Sequence, residues 1–119
     1  MITLANRVRT LLGSAGAPVW YFYPQSWIQL PVISWRESGN REFAQADGGE
    51  HLAELEYTVD IWSDSPAKNA ELAAGIDAAM ASARLRRDYS ADLFEPSTGY
   101  HHRSARYRCV ADAAGNIYQ

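Results

Sequence analysis

Residues 51–63 constrain the possible fold of the chain most strongly, because apolar and polar side chains alternate there at a spacing of two. The apolar positions are Leu55, Tyr57, Val59 and Ile61, and the polar positions between them are Glu54, Glu56, Thr58 and Asp60. Successive side chains of a β-strand point to opposite faces. The alternation therefore predicts a strand that packs one face on a core and turns an acidic face toward water, as in a half-exposed antiparallel sheet.

A helix is predicted to follow this strand after a short capping segment. The segment from Ser63 to Pro66 supplies side chains that cap helices, and proline suits the first helical position because the N–H it lacks is unpaired there. Alanine is abundant up to Ala83, which favours helix and permits close packing on a sheet. One face of the predicted helix is apolar and consists of Leu72, Ile76, Ala79, Met80 and Ala83.

The remaining elements are shorter, and polar stretches separate them. Apolar spacing and β-forming residues predict a further helix at 3–12 and further strands at 18–23, 30–35, 84–90 and 100–112. Because proline cannot donate to a sheet ladder, the strand that contains Pro31 should lie at an edge or begin just after that residue.

Two polar stretches without a clear period are predicted to be long loops, at about 36–50 and 91–99. A loop as long as 36–50 is either functional or a simple hairpin connection, and the sequence leaves both open. We expect a single domain over residues 1–119 with an α+β fold. Its sheet should be antiparallel or mixed, with four to five strands and both helices packed on one face.

Charge is spread unevenly along the chain. The net charge is -3 in total, with about +3 in residues 1–36, -8 in residues 37–77 and +2 in residues 78–119. This segregation has two interpretations, pairing of opposite charges on neighbouring strands of one fold or complementary patches on neighbouring subunits. In either case the acidic face of 51–63 should lie beside the basic face of 102–108. The absence of a basic surplus argues against sequence-specific binding of nucleic acid.

Motifs for catalysis, metals and cofactors are not found in the sequence, so we predict a non-enzyme without catalytic, metal or cofactor-binding residues. His101 and His102 are adjacent in a predicted strand and point to opposite faces, so a metal site would need His51 to approach one of them. Cys109 lies in the same strand and is expected to be a buried, reduced thiol. We find no secretory signal and no span of about 18 apolar residues, so we expect folding in the cytoplasm of the cell that makes the protein and no membrane partner.

Aromatic residues are dense in the first third of the chain, at Trp20, Tyr21, Phe22, Tyr23, Trp27 and Trp35. Two strands do not readily bury six aromatic side chains, so some are expected in a protein–protein interface. An alternative function is a small ligand-binding or regulatory α+β domain that uses this cluster. A deep pocket formed by Trp20, Trp27, Trp35 and a histidine would favour that alternative.

The amino-acid sequence of the predicted central strand and the helix after it resembles that of a known family. Residues 56–65 read Glu-Tyr-Thr-Val-Asp-Ile-Trp-Ser-Asp-Ser, and a helix rich in Ala, Glu and Leu follows from Asn69 to Asp77. The pattern continues through Arg86-Arg87, Asp92-Leu93-Phe94-Glu95-Pro96, Thr98-Gly99-Tyr100-His101-His102 and Ala105-Arg106-Tyr107-Arg108. Over most of its length the chain resembles the small tail-completion proteins of long-tailed bacteriophages and prophages, also called tail terminators or tail-to-head joining proteins.

This resemblance implies a structural role in the virion. Proteins of this kind cap the head-proximal end of the tail tube as a ring, commonly six-fold, and join it to the head connector. The implied partners are further copies of the chain, the tail-tube protein and a head-connector or head-completion protein. We expect the interface residues in the two predicted loops and in the arginine group: Arg36, Arg41, Glu42, Phe43, Arg86, Arg87, Phe94 and Glu95.

Overall fold

The computed structural model describes residues 1–44 and 51–118. The elements in chain order are α1 (Ala5–Gly13), β1 (Val19–Tyr21), β2 (Val32–Ala44), β3 (His51–Ser63), α2 (Pro66–Ser82), β4 (Arg86–Glu95), β5 (Tyr100–Asp112) and β6 (Ile117–Tyr118). The strands form one sheet of six in the order β1-β2-β3-β5-β4, and β6 pairs with the end of β5. The predicted α+β fold is confirmed, with one strand more than expected.

The predicted central strand is confirmed as β3, which pairs with β2 on one side and β5 on the other. Its apolar face lies against both helices in a single core, to which α1 contributes Val8 and Leu12, and α2 contributes Ile76 and Met80. Leu55 and Tyr57 at the centre of that face are completely buried. The alternation in the sequence therefore predicted both the strand and the face that it buries.

The helix α2 begins as predicted and is tied to the sheet by polar contacts. Ser65 caps it by accepting a hydrogen bond from the backbone N–H of Lys68, and Pro66 occupies the first turn. The buried amide of Asn69 accepts from the Ser63 hydroxyl and donates to the carbonyl of His101. Because these bonds join the first turn of α2 to β3 and β5, they fix the position of the helix over the sheet.

The predicted loop at 36–50 is wrong for residues 36–44, which continue β2 in a long hairpin with β3. A register shift between Glu37 and Gly39 inserts one extra residue into β2. Such a bulge moves the following side chains by one position relative to the face, so the sequence loses its period although the strand continues. The remainder of that predicted loop, residues 45–50, lies outside the described residues.

The predicted loop at 91–99 is likewise wrong for residues 91–95, which belong to β4. Most side chains of β4 are exposed, and a register shift between Arg87 and Tyr89 again interrupts the alternation. A strand without a buried face has no apolar period to reveal it. Only the turn from Pro96 to Gly99 remains between β4 and β5.

Candidate interaction surface

The side of the sheet turned away from the helices is here called the open face, and ion pairs cross its central strands. Arg108 of β5 is the hub, with its guanidinium 2.9 Å from Glu56, 3.4 Å from Glu54 and 2.6 Å from Asp88. Arg41 of β2 lies 2.7 Å from the second oxygen of Glu54. The prediction that the acidic face of β3 lies beside the basic face of β5 is confirmed. The opposite charges of β3 and β5 are therefore paired inside the subunit.

Toward the end of β3 at Ser63, the open face is buried by aromatic residues. The ring of Trp62 stacks on His102 with 3.8 Å between centroids, and Trp27 and Tyr23 pack edge-on against Trp62. His102 Nε2 lies 2.6 Å from Asp60, which also faces the guanidinium of Arg36 at 3.6 Å. The polar contacts hold a buried carboxylate beneath a hydrophobic cover, so this end of the open face is core and not a water-filled site.

The aromatic residues do not form the common pocket that a ligand-binding function would favour. Trp27 packs on Trp62 on the open face, whereas Trp35 packs against Tyr57 on the face covered by helices. The sheet therefore separates the two tryptophans. The histidines are also apart, since His51 pairs with Ala44 at one end of β3 and His101 with Ser63 at the other. Within the described ranges, no three His, Cys, Asp or Glu residues are grouped to hold a metal ion.

Two titratable groups of the core, Cys109 and Tyr107, are held in their neutral forms. Burial raises the pKa of the Cys109 thiol to about 11, which leaves it protonated and unreactive at neutral pH. Burial, reinforced by the hydrogen bond to Asp77, raises the pKa of Tyr107 well above its ordinary value. The predicted buried thiol is confirmed, because Cys109 lies in the core cluster.

Four of the predicted interface residues lie on β2. Arg36 lies over the ring of Phe22 and faces Asp60, and Arg41 lies over Phe43 and pairs with Glu54. Glu42 projects from the face that the helices cover, opposite Ala53 in the register, and it is exposed.

The other four predicted residues lie on β4, on the far side of the sheet. Arg86 and Arg87 begin the strand, and Phe94 and Glu95 end it. Arg87 pairs with Asp77 of α2 at 3.1 Å, whereas Phe94 contacts the ring of His101. The structure thus divides the predicted interface residues between β2 and β4, which β3 and β5 separate in the sheet. The eight residues form two surfaces and not one.

These two surfaces coincide with the two edges of the sheet. β1 covers β2 only opposite Ile33 to Trp35, followed by one further bond from Phe22 N–H to the carbonyl of Trp35. Among the described residues, no strand lies beside the outer side of residues 36–44 or beside the outer side of β4. Both edges therefore present backbone donors and acceptors that are free to pair with another chain.

Large apolar side chains are exposed near both edges. Tyr21 and Phe22 beside β1 are 57% and 60% exposed, and Leu93 and Phe94 on β4 are 49% and 55% exposed. Ile28, in the connection between β1 and β2, is 97% exposed. Tyr21, Phe22 and Phe94 were predictable as interface aromatics. Leu93 and Ile28 were missed, because a single aliphatic residue in a polar stretch gives no periodic signal.

The sequence of this chain, which forms two helices over a mixed sheet, is matched by a known protein family. The family described as "Tail completion protein gp17" matches residues 4–112. The chain belongs to this family. It is accordingly a structural protein of phage tail assembly and a component of the virion. The predicted family resemblance is confirmed.

The solved structures agree with this family fold. A chain from a structure titled "Virion of native gene transfer agent (GTA) particle" superposes with a TM-score of 0.57 at 14% sequence identity, over 85% of this tail-completion protein and 81% of that chain. At this identity the likeness concerns the fold. No curated protein gives a significant match to the sequence. In the described part of the chain, neither helix is long and apolar enough to cross a membrane.

Proposed function

We propose that this tail-completion protein closes the head-proximal end of the tail tube as a ring of identical subunits and joins the tube to the head connector. The ring has six copies in the assembled tail, as the family resemblance implies. The partners are other copies of the chain, the tail-tube protein and a head-connector or head-completion protein. The protein acts by binding these partners and not by catalysis.

The observation that carries this proposal is that one subunit has two sheet edges with different residues, and that each edge exposes large apolar side chains. The first edge exposes Tyr21 and Phe22, and the second exposes Leu93 and Phe94. A surface that binds a different surface of an identical copy generates a head-to-tail contact, which closes into a ring when the rotation between copies is right. Exposed apolar groups of this size favour burial by a partner.

The proposal is tested by assembly of the purified protein at increasing concentration, with and without tail-tube protein. Sedimentation and negative-stain microscopy should show rings whose mass is a fixed multiple of the subunit mass, and these rings should bind tube ends. Phe94→Glu should lower ring formation and tube capping by about tenfold, since it places a charge in an apolar contact.

The matched control is Ala70→Glu, which adds the same charge on an exposed position of α2. It should assemble like the wild type. A protein that stays monomeric at every concentration and does not bind tubes would refute the ring proposal. Equal assembly by Phe94→Glu and Ala70→Glu would show that the β4 edge takes no part in it.

A further inference from the structure

We propose that neighbouring copies in the ring are joined by strand addition, with residues 36–44 of one copy pairing antiparallel to β4 of the next. The sheet of each subunit would then continue into its neighbour around the ring. This inference rests on the ring proposed above and names the surface that closes it. Residues 36–44 are called the β2 edge below, and residues 86–95 the β4 edge.

The two edges have matching lengths and suitable directions. The β2 edge has nine residues and the β4 edge has ten. The neighbouring pairs β2–β3, β3–β5 and β5–β4 are all antiparallel, so β2 and β4 run in opposite directions. A second copy placed beside the first by rotation about the ring axis therefore brings its β2 antiparallel to β4. Antiparallel pairing is the more stable arrangement for two strands.

The stagger between the edges also fits a closed sheet. Through the register, Arg86 lies level with Gly39 and Leu93 lies level with Val32. The β4 edge is therefore centred near residue 35 of β2, about five residues from the centre of the β2 edge, which is roughly 16 Å at the ordinary rise per residue. Four strands occupy a width of roughly 19 Å. These dimensions give a strand tilt of about 40°, which is the usual tilt in closed β-barrels.

One end of this contact is apolar on both sides. There the end of β4, with Leu93 and Phe94, approaches the point where β1 stops covering β2. Tyr21 and Phe22 are exposed at that point, beside Trp35. One antiparallel placement therefore satisfies the backbone edges and the exposed apolar groups together. Because both features come from this chain, a second copy fits the edge better than an unrelated partner.

Amide hydrogen exchange on assembled rings and on free subunits tests the inference. Sedimentation must first show that the rings are present, so that failure of assembly is distinguished from failure of this interface. Exchange should slow at least tenfold at amides in both residues 36–44 and 86–95 on assembly, since strand pairing protects edge amides. Amides in the middle of α2 serve as the internal reference and should not change. Rings with unchanged exchange at either edge would overturn strand addition. Protection of only the β4 edge when tube protein is added would contradict the contact between copies and assign that edge to the tube.

Discussion

The two faces of β3 differ in what they contribute to the fold. Its helix-covered face presents Leu55, Tyr57, Val59 and Ile61 to a single core, and all four are buried. The open face carries Glu54 and Glu56 in ion pairs with Arg108 that remain partly in water. Burial of apolar surface stabilises a fold far more than exposed ion pairs do. The covered face therefore stabilises the fold more than the exposed ion pairs of the open face do.

A pair of adjacent substitutions in β3 tests this difference with the largest expected effect. Leu55→Ala should lower the free energy of unfolding by about 2–5 kcal/mol, because it leaves a cavity in the core. Glu54→Ala, one residue away on the open face, should lower it by less than about 1 kcal/mol. Urea denaturation followed by circular dichroism measures both. Similar losses for the two variants would show that the ion pairs of the open face contribute to stability as much as the core does.

Asp60 lies on the open face but is buried, so it separates the effect of face from the effect of burial. Asp60→Ala removes the partner of His102 and leaves its ring nitrogen beneath Trp62 without that bond. We expect a loss of about 2 kcal/mol in unfolding free energy, since a buried polar group without a partner is costly.

The matched control for that substitution is Asp64→Ala, which removes an exposed carboxylate paired with Lys68 at 3.6 Å. It should change the unfolding free energy by less than about 0.5 kcal/mol. If Asp60→Ala and Asp64→Ala lower the unfolding free energy by the same amount, burial at this end of the sheet does not strengthen the Asp60 contacts.

The contrast between buried and exposed faces explains which elements could be predicted from the sequence and which could not. β3, α2 and β5 were predictable because each has a buried face and therefore an apolar period. The side-by-side placement of β3 and β5 followed from the opposite charges on their other faces. Residues 36–44 and 91–95 were not predicted as strands, because their side chains are mostly polar or exposed and a bulge in each strand shifts the alternation.

The residues of the candidate interaction surface could be predicted in part from their types. Charged and aromatic residues such as Arg86 and Phe94 were identified by residue type, and the structure places them on an edge strand. Their division between two separate edges depends on strand order, which charge and hydropathy along the chain do not encode. The aromatic cluster shows the limit most clearly, since Trp27 and Trp35 are close in sequence but lie on opposite faces of the sheet.

The smallest expected effect concerns Cys109, which lies on the covered face beside Leu55. Burial raises the pKa of its thiol from 9.0 to about 11, so the folded protein holds this proton more tightly than the unfolded chain does. The stability that this group contributes is therefore complete below pH 9 and is lost as the pH rises toward 11. Between pH 8.5 and 9.5 the unfolding free energy of the wild type should fall by about 0.7 kcal/mol more than that of Cys109→Ala. Urea denaturation of both proteins across this window measures the difference, and tyrosine ionisation cancels in it because both proteins carry the same tyrosines. Parallel curves for the two proteins would mean that the thiol ionises equally easily in the folded and unfolded states, and hence that this part of the covered face is open to water.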